Sequence, residues 1–273
     1  AIYLADNWVK CLGQKGYYFA LPTMATSDQM FGRVKNYLIN RYPDNRVNFM
    51  LLHGHAALSA EFETLKDKFE VQNISGVDGY DKTSAGIVAS EWFTHRKRGL
   101  LAPFGVGTID QALLAVLQTR HVFVRLFGLA HKTIIIDEVH AYDAYMTTLM
   151  ERLLEWLAAL GSSVVLLSAT LPKERRDVLL EAYVKGISKE EKKVPPSLDE
   201  IKYPRISWTD GSEFHAKTID TSPDSTKGLK IQLVSGDLPD TDGEYVLGKA
   251  LQDALAYGGC AAVICNTVDQ AQK

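Results

Sequence analysis

The sequence predicts an α/β protein built on a doubly wound parallel sheet with helices on both faces. Two features predict it. Short apolar runs rich in β-branched or aromatic residues recur along the chain, at residues 17–21, 47–53, 100–105, 133–137, 164–168 and 261–265. Most of them do not alternate apolar with polar, as strands covered on both faces do not. Helical patterns fill several of the intervals, and strand alternating with helix implies parallel strands joined by crossovers.

The elements follow in order. The chain opens in an amphipathic helix over residues 1–9. A helix over 29–41 follows the first run, and one over 110–117 follows the third. A helix over 145–160 follows the fourth run, with Leu149, Leu153, Leu154, Leu157 and Leu160 at helical spacing. A helix over 173–184 follows the fifth. The character then changes. Residues 189–193 are a charge run followed by Pro195-Pro196, which reads as a solvated loop. Residues 203–238 are polar and strand-like, with turns at Asp210-Gly211, Ser222-Pro223 and Lys227-Gly228, a connector with room for a hairpin. A helix over 245–256 and the run 261–265 then look like the entry to a second α/β unit. The expected organisation is a first domain over 1–187, a connector over 188–243 and the beginning of a second domain over 244–273. The missing initiator Met and the stop soon after an apolar run suggest a piece of a longer protein.

Composition narrows the function. With 273 residues, 46% of them hydrophobic, the chain can bury one large domain and part of another. A charged fraction of 23% and a net charge of −3 describe an ordinary globular protein and exclude a purely electrostatic nucleic-acid binder. Any nucleic-acid site must be a local groove built partly from backbone amides and hydroxyls. Cys11, Cys260 and Cys265 form no CxxC pair and read as buried, reduced thiols of a cytoplasmic protein. No run is long enough to span a membrane and no secretory signal is evident, so a membrane partner is not expected.

The chemistry concentrates where strands end. Thr133-Ile134-Ile135-Ile136-Asp137-Glu138-Val139-His140 delivers two adjacent acids at the carboxyl end of a buried strand. Ligands of open α/β sheets bind at such ends. Asp137 suits a magnesium ion beside the β- and γ-phosphates of a nucleotide, and Glu138 suits the activation of attacking water. The bland alternative is that the pair caps the next helix. Val164-Val165-Leu166-Leu167-Ser168-Ala169-Thr170 ends a second strand in two hydroxyls. These either cap the helix beginning near Pro172 or bond to His140 or Asp137 and sense the nucleotide state.

Two further turns are shaped for phosphate. In Ala20-Leu21-Pro22-Thr23-Met24-Ala25-Thr26, Pro22 stops a strand, and Thr23 and Thr26 supply hydroxyls near a helix start. A plain turn capped by Ser27 or Asp28 is equally open. In Phe104-Gly105-Val106-Gly107-Thr108-Ile109-Asp110-Gln111, Gly107 permits close backbone approach and Thr108 can meet a phosphate. Asp110 cannot attract a phosphate and suits a cap or the loop amides of the same turn. Two such turns beside an acid pair suggest a nucleic-acid backbone track. His53 and His55 lack a third ligand and read as a strand end rather than a metal site. Arg96-Lys97-Arg98 after Trp92 and Phe93 either stacks and holds single strands or is a solvated loop. Lys173-Glu174-Arg175-Arg176 reads as a charged helix start.

Taken together, these strings resemble motifs Ia, Ib, II and III of the DEAD/DEAH-box class of superfamily 2 helicases, with the start of motif IV at residues 263–272. More narrowly, the stretches 20–26, 100–114 and 136–146 resemble the CRISPR-associated helicase–nuclease of type I systems. The extension Ala141-Tyr142-Asp143-Ala144-Tyr145-Met146 beyond the acid box is much more specific than the box. The resemblance covers residues 1–183 well and the tail more loosely. It implies a RecA-like fold, ATP and Mg2+ as cofactors, and movement along single-stranded DNA. It also implies recruitment by an RNA-guided surveillance complex and a linked His-Asp nuclease domain outside this chain. On it Glu138 and Asp137 are catalytic, with Asp137 on magnesium, and His140, Ser168 and Thr170 couple the nucleotide to the strand. Pro22, Thr23, Thr26, Gly107, Thr108 and Asp110 form the nucleic-acid track. The chain departs from the family pattern in having no G-x-G-K-[ST] phosphate loop, no arginine finger and no recognisable His-Asp cluster. Residues 1–273 alone are therefore expected to be inactive. A general superfamily 2 helicase and a non-catalytic docking module remain the alternatives.

Overall fold

The structure, a computed structural model, describes residues 1–43, 46–56, 59–65, 86–89, 91–94, 98–117, 122–189, 192–196, 198, 201–220 and 246–269. It divides into two compact units, Ala1–Asp220 and Thr221–Lys273. The first unit is built on strands β1 (Tyr17–Leu21), β2 (Arg46–Leu52), β3 (Gly86–Val88), β4 (Phe104–Thr108), β5 (Thr133–Ile136) and β6 (Ser163–Leu166). They form one sheet in the order β3-β2-β4-β1-β5-β6, with every pairing parallel. Helices α1 (Ile2–Cys11), α2 (Met24–Arg41), α3 (Ile109–Leu113), α4 (Val122–Leu129), α5 (Ala144–Ala159) and α6 (Lys173–Ser188) surround it.

Strand periodicity explains why the apolar runs do not alternate. Successive side chains point to opposite faces, and each face here has its own core. Tyr17, Phe19 and Leu21 of β1 join Ile135 of β5 and Phe31, Val34 and Leu38 of α2 in one cluster. Tyr18 and Ala20 join Ile134 and Ile136 and Leu153, Leu154 and Leu157 of α5 in the other. A strand between two cores must be apolar throughout. Behind the second core, α5 and α6 pack closely: a Cβ at Gly186 would fall 2.1 Å from the Glu155 carbonyl oxygen.

Several expectations change. The run at 100–105 is not one strand. Gly99–Leu101 forms a 3-10 turn and β4 begins at Phe104. The buried Lys132 Nζ donates to the carbonyls of Leu100 (2.6 Å) and Ala102 (2.5 Å), which diverts them from any ladder. Burial pushes the Lys132 pKa down to about 7. Helix α2 starts at Met24 rather than 29, and α3 ends at Leu113 rather than 117. Strand β3 and helix α4 are additions to the expected elements.

The expected hairpin is present as β7 (Arg205–Thr209) and β8 (Phe214–Thr218), antiparallel and within the first unit. Asp210 turns it, accepting from the backbone of Glu213 and from Ser212. Those bonds, Glu213 first, hold its carboxyl well below the usual carboxylate range. The turns expected at Ser222-Pro223 and Lys227-Gly228 lie outside the described residues, as do Arg96 and Lys97.

In the second unit, α7 (Val246–Leu255) forms as expected. Residues 261–265 do not form a strand, and Ile264 is 92% exposed. A strand exists only through backbone pairing, and the described residues of this unit contain no other strand to pair with. The cysteines are free, but Cys11 and Cys260 are exposed and Cys265 half-buried, against the expected burial. No helix among the described residues is long and apolar enough to cross a membrane.

Candidate active site

The carboxyl edge of the sheet brings the expected residues together. The registers pair Leu52 with Gly107, Leu21 with Thr108, Ala20 with Ile136, and Ile136 with Leu166. The strand ends therefore lie in a row: His53, Thr108, Leu21, Asp137, Leu167. Neighbouring strands are about 4.8 Å apart, so the backbones of Thr108 and Asp137 lie about 10 Å from each other.

The acid turn is held by bonds on every side. Asp137 N–H donates to the Ala20 carbonyl at 3.0 Å, the last bond of the strand ladder. The next peptide is fixed at both ends. Its N–H, from Glu138, donates to Asp137 Oδ1 at 3.0 Å, and its carbonyl, from Asp137, accepts from the Tyr142 hydroxyl at 3.0 Å. Val139 is buried and its N–H donates to the Leu167 carbonyl. Arg175 of α6 donates to the Tyr142 carbonyl at 2.5 Å and to the Thr147 hydroxyl. Within this frame Glu138 adopts φ 54, ψ 43, a left-handed conformation that costs a residue with a side chain about 1–3 kcal/mol. The result is a half-buried Asp137 beside an exposed Glu138. The second oxygen of Asp137 meets no partner among the described residues. Neither acid side chain caps a helix: Glu138 stands at the N-cap of the 3-10 turn Val139–Ala141 without a side-chain cap bond, and α5 is capped by Asp143, which accepts from Met146 N–H at 2.8 Å.

His140 Nδ1 lies 3.2 Å from Ser168 Oγ and 3.3 Å from Glu138 Oε2. Ser168 donates its proton to the Thr170 carbonyl at 2.7 Å. Its oxygen must therefore accept, so Nδ1 carries the hydrogen and shares it between the hydroxyl and the carboxylate. These hydroxyls do not cap α6, which has Pro172 at its N-cap and no side-chain cap bond. Thr170 takes part through its carbonyl.

The two phosphate-shaped turns differ. At the first, Thr23 caps α2 and replaces the expected Ser27 or Asp28: its hydroxyl accepts from Thr26 N–H at 3.2 Å and pairs with the Thr26 hydroxyl at 2.9 Å. Both threonines are exposed and Pro22 is half-buried. At the second, Gly107 and Thr108 are buried, Thr108 to 6% exposure, while Asp110 is exposed in the first turn of α3. A Cβ at Gly107 would fall 2.1 Å from the Leu52 carbonyl oxygen and 2.6 Å from the Tyr18 hydroxyl. The close approach that requires glycine is thus made by the protein itself. The Tyr18 hydroxyl donates to the Thr108 carbonyl at 2.9 Å.

The sequence does not announce the Tyr18 hydroxyl bond, the ties of Tyr142 and Arg175 at the acid turn, or the His53–Asp28 pair. His53 Nδ1 accepts from His55 N–H at 3.2 Å, so Nε2 carries the hydrogen and donates to Asp28 Oδ1 at 3.1 Å. That bond ties the end of β2 to the first turn of α2. No group of three metal-ligating side chains occurs among the described residues.

No protein-family model matches the chain. The CRISPR-associated endonuclease/helicase Cas3 of Thermus thermophilus is 40% identical over 261 residues, which are 96% of this chain and 26% of that protein. The crystal structure of T. fusca Cas3 matches with a TM-score of 0.81 at 37% identity, over 99% of this chain and 30% of that one. The same protein with ATP matches with a TM-score of 0.80. A chain of a CRISPR RNA-guided surveillance complex in a pre-nicking state matches with a TM-score of 0.67 at 34% identity, over 99% of this chain and 27% of its own. The chain spans about a quarter of the length of the curated relative. Identity at this level over nearly the whole chain, on a six-stranded parallel sheet of the same design, places it in the Cas3 family of CRISPR-associated nuclease/helicases, as a segment with the RecA-like fold.

Proposed function

We propose that this chain forms part of an ATP-driven motor that moves along single-stranded DNA during CRISPR interference. The observation that carries the reading is the acid turn. A strained, exposed Glu138 and an Asp137 with one uncommitted oxygen stand at the carboxyl edge of the sheet, in line with a hydroxyl-bearing helix start. The donor set suits Mg2+, a hard cation that takes carboxylate oxygen together with water and phosphate. Bound there, magnesium would neutralise charge on the β- and γ-phosphates. Asp137 would hold that cation through its free oxygen, and Glu138 would position and deprotonate the attacking water. His140, bonded to Glu138 and Ser168 at once, carries the state of the acid to the end of β6. Thr23 and Thr26 offer hydroxyls to the sugar–phosphate backbone, a contact that reads no sequence. Pro22, Gly107, Thr108 and Asp110 shape the track beside them.

The phosphate cradle is not among these residues, since the sequence has no G-x-G-K-[ST] loop. We infer that cradle, arginine finger and His-Asp nuclease belong to other parts of the full-length protein, and that residues 244–273 enter a second RecA-like domain. Recruitment by an RNA-guided surveillance complex, and a cytoplasmic location, follow from the same reading. The test is ATP hydrolysis by the full-length protein with mixed-sequence single strands, duplex DNA or no DNA. Stimulation by single strands well above the other two is expected; equal rates in all three would contradict the proposal.

A further inference from the structure

We propose that Tyr18 and Tyr142 are a matched pair of positioning residues, Tyr18 fixing the nucleic-acid turn and Tyr142 fixing the acid turn. The inference rests on the functional reading above. Both rings lie in the same apolar cluster. A hydroxyl in such surroundings is costly unless bonded, and each finds a carbonyl at or one residue past the end of a site strand. Tyr18 belongs to β1, between β4 and β5, where its register partners are Gly105 and Ile134. Its hydroxyl reaches the carbonyl of Thr108, at the end of β4. Tyr142 reaches the carbonyl of Asp137, just past β5.

A peptide plane is rigid, so fixing its carbonyl fixes its N–H as well. At the acid turn that N–H is the one bound by Asp137 Oδ1. Rotation of this plane would swing the Asp137 carboxylate and release Glu138 from its left-handed conformation. At the other turn the fixed plane leads from Thr108 into α3. Tyr17 supplies an internal contrast. It is equally buried in the opposite cluster, and its hydroxyl has no partner among the described residues. A buried tyrosine in this sheet therefore need not be tied to a turn; Tyr18 and Tyr142 are.

The test removes single oxygens from the full-length protein: Tyr18→Phe, Tyr142→Phe and, as the control, Tyr17→Phe. Single-strand affinity is read with a labelled mixed-sequence oligonucleotide. The magnesium midpoint is read from ATP hydrolysis, and turn mobility from amide exchange of residues 107–111 and 137–141. Loss of one buried hydrogen bond corresponds to about a fivefold effect. Tyr18→Phe should weaken strand affinity by about that factor and speed exchange at 107–111. Tyr142→Phe should raise the magnesium midpoint by a similar factor and speed exchange at 137–141. Tyr17→Phe should move neither. If both phenol variants shift both readouts equally, or lower only the melting temperature, the phenols are packing groups and the proposal fails. A wild type that neither binds single strands nor hydrolyses ATP would bring down the functional reading and this proposal together. An active wild type matched by all three variants would bring down the phenol assignment alone.

Discussion

The turn after β5 and the turn after β4 leave the same edge of one sheet, two strands apart, and are built in opposite ways. The acid turn is exposed and strained, with Glu138 at positive φ and its peptide bonded at both ends. The β4 turn is buried and dense, with Gly107 pressed against Leu52 and Tyr18. The proposed roles of the two turns account for the difference. Carboxylates that meet a cation and a water must be solvent-reachable and aimed, so strain is tolerated where side-chain ties fix the aim. A backbone track needs a fixed contour more than reactive groups, and close packing provides it.

Adding a methyl to the dense turn should have the largest effect. Gly107→Ala forces β2 and β4 apart and should cost about 3 kcal/mol or more in thermal or denaturant unfolding. Gly54→Ala, whose Cβ would meet nothing closer than Met24 Sδ at 3.9 Å, should stay within about 0.5 kcal/mol of wild type. Similar losses at both positions would mean that the β4 turn is not specially packed.

A smaller effect is expected at the relay from the acid turn to β6. Ser168→Ala removes the hydroxyl beside His140, and the ATP consumed per base pair opened should rise several-fold while the hydrolysis rate changes little. Thr170→Ala, which keeps the carbonyl that Ser168 bonds, should change that ratio less. Equal behaviour of the two would detach Ser168 from coupling.

The smallest effect belongs to the exposed helix start. Thr23→Ala should weaken single-strand binding about two- to tenfold, alike for all base compositions, because one hydrogen bond to phosphate is lost. Lost capping should also lower stability by about 1 kcal/mol. A loss confined to certain sequences would assign Thr23 to base contact instead.

What could be read in the sequence was what is local. The strands at 17–21 and 133–137 stood out because both faces are covered, and the acid string carried its own context through Tyr142. The hidden features depend on distant partners. The Tyr18 hydroxyl bonds a carbonyl 90 residues away, and His53 finds Asp28 only once β2 lies beside α2. Nothing near residue 100 announces that Lys132 takes its carbonyls. Strand β3, three residues long, is too short for periodicity to show. The run at 261–265 makes the reverse point: apolar and β-prone, it has no strand beside it among the described residues and stays unpaired. The sequence suits Thr23 to phosphate and Ser27 or Asp28 to the cap, yet Thr23 itself caps the helix.

The most direct test of the two-ended edge is Glu138→Gln in the full-length protein, with ATP turnover and single-strand affinity measured side by side. The substitution keeps the shape of the side chain and removes its base. Turnover should fall about a hundredfold or more, while affinity for ATP–magnesium and for the strand stays within about twofold of wild type. Retained turnover, or strand binding lost in step with it, would contradict the assignment of water activation to Glu138.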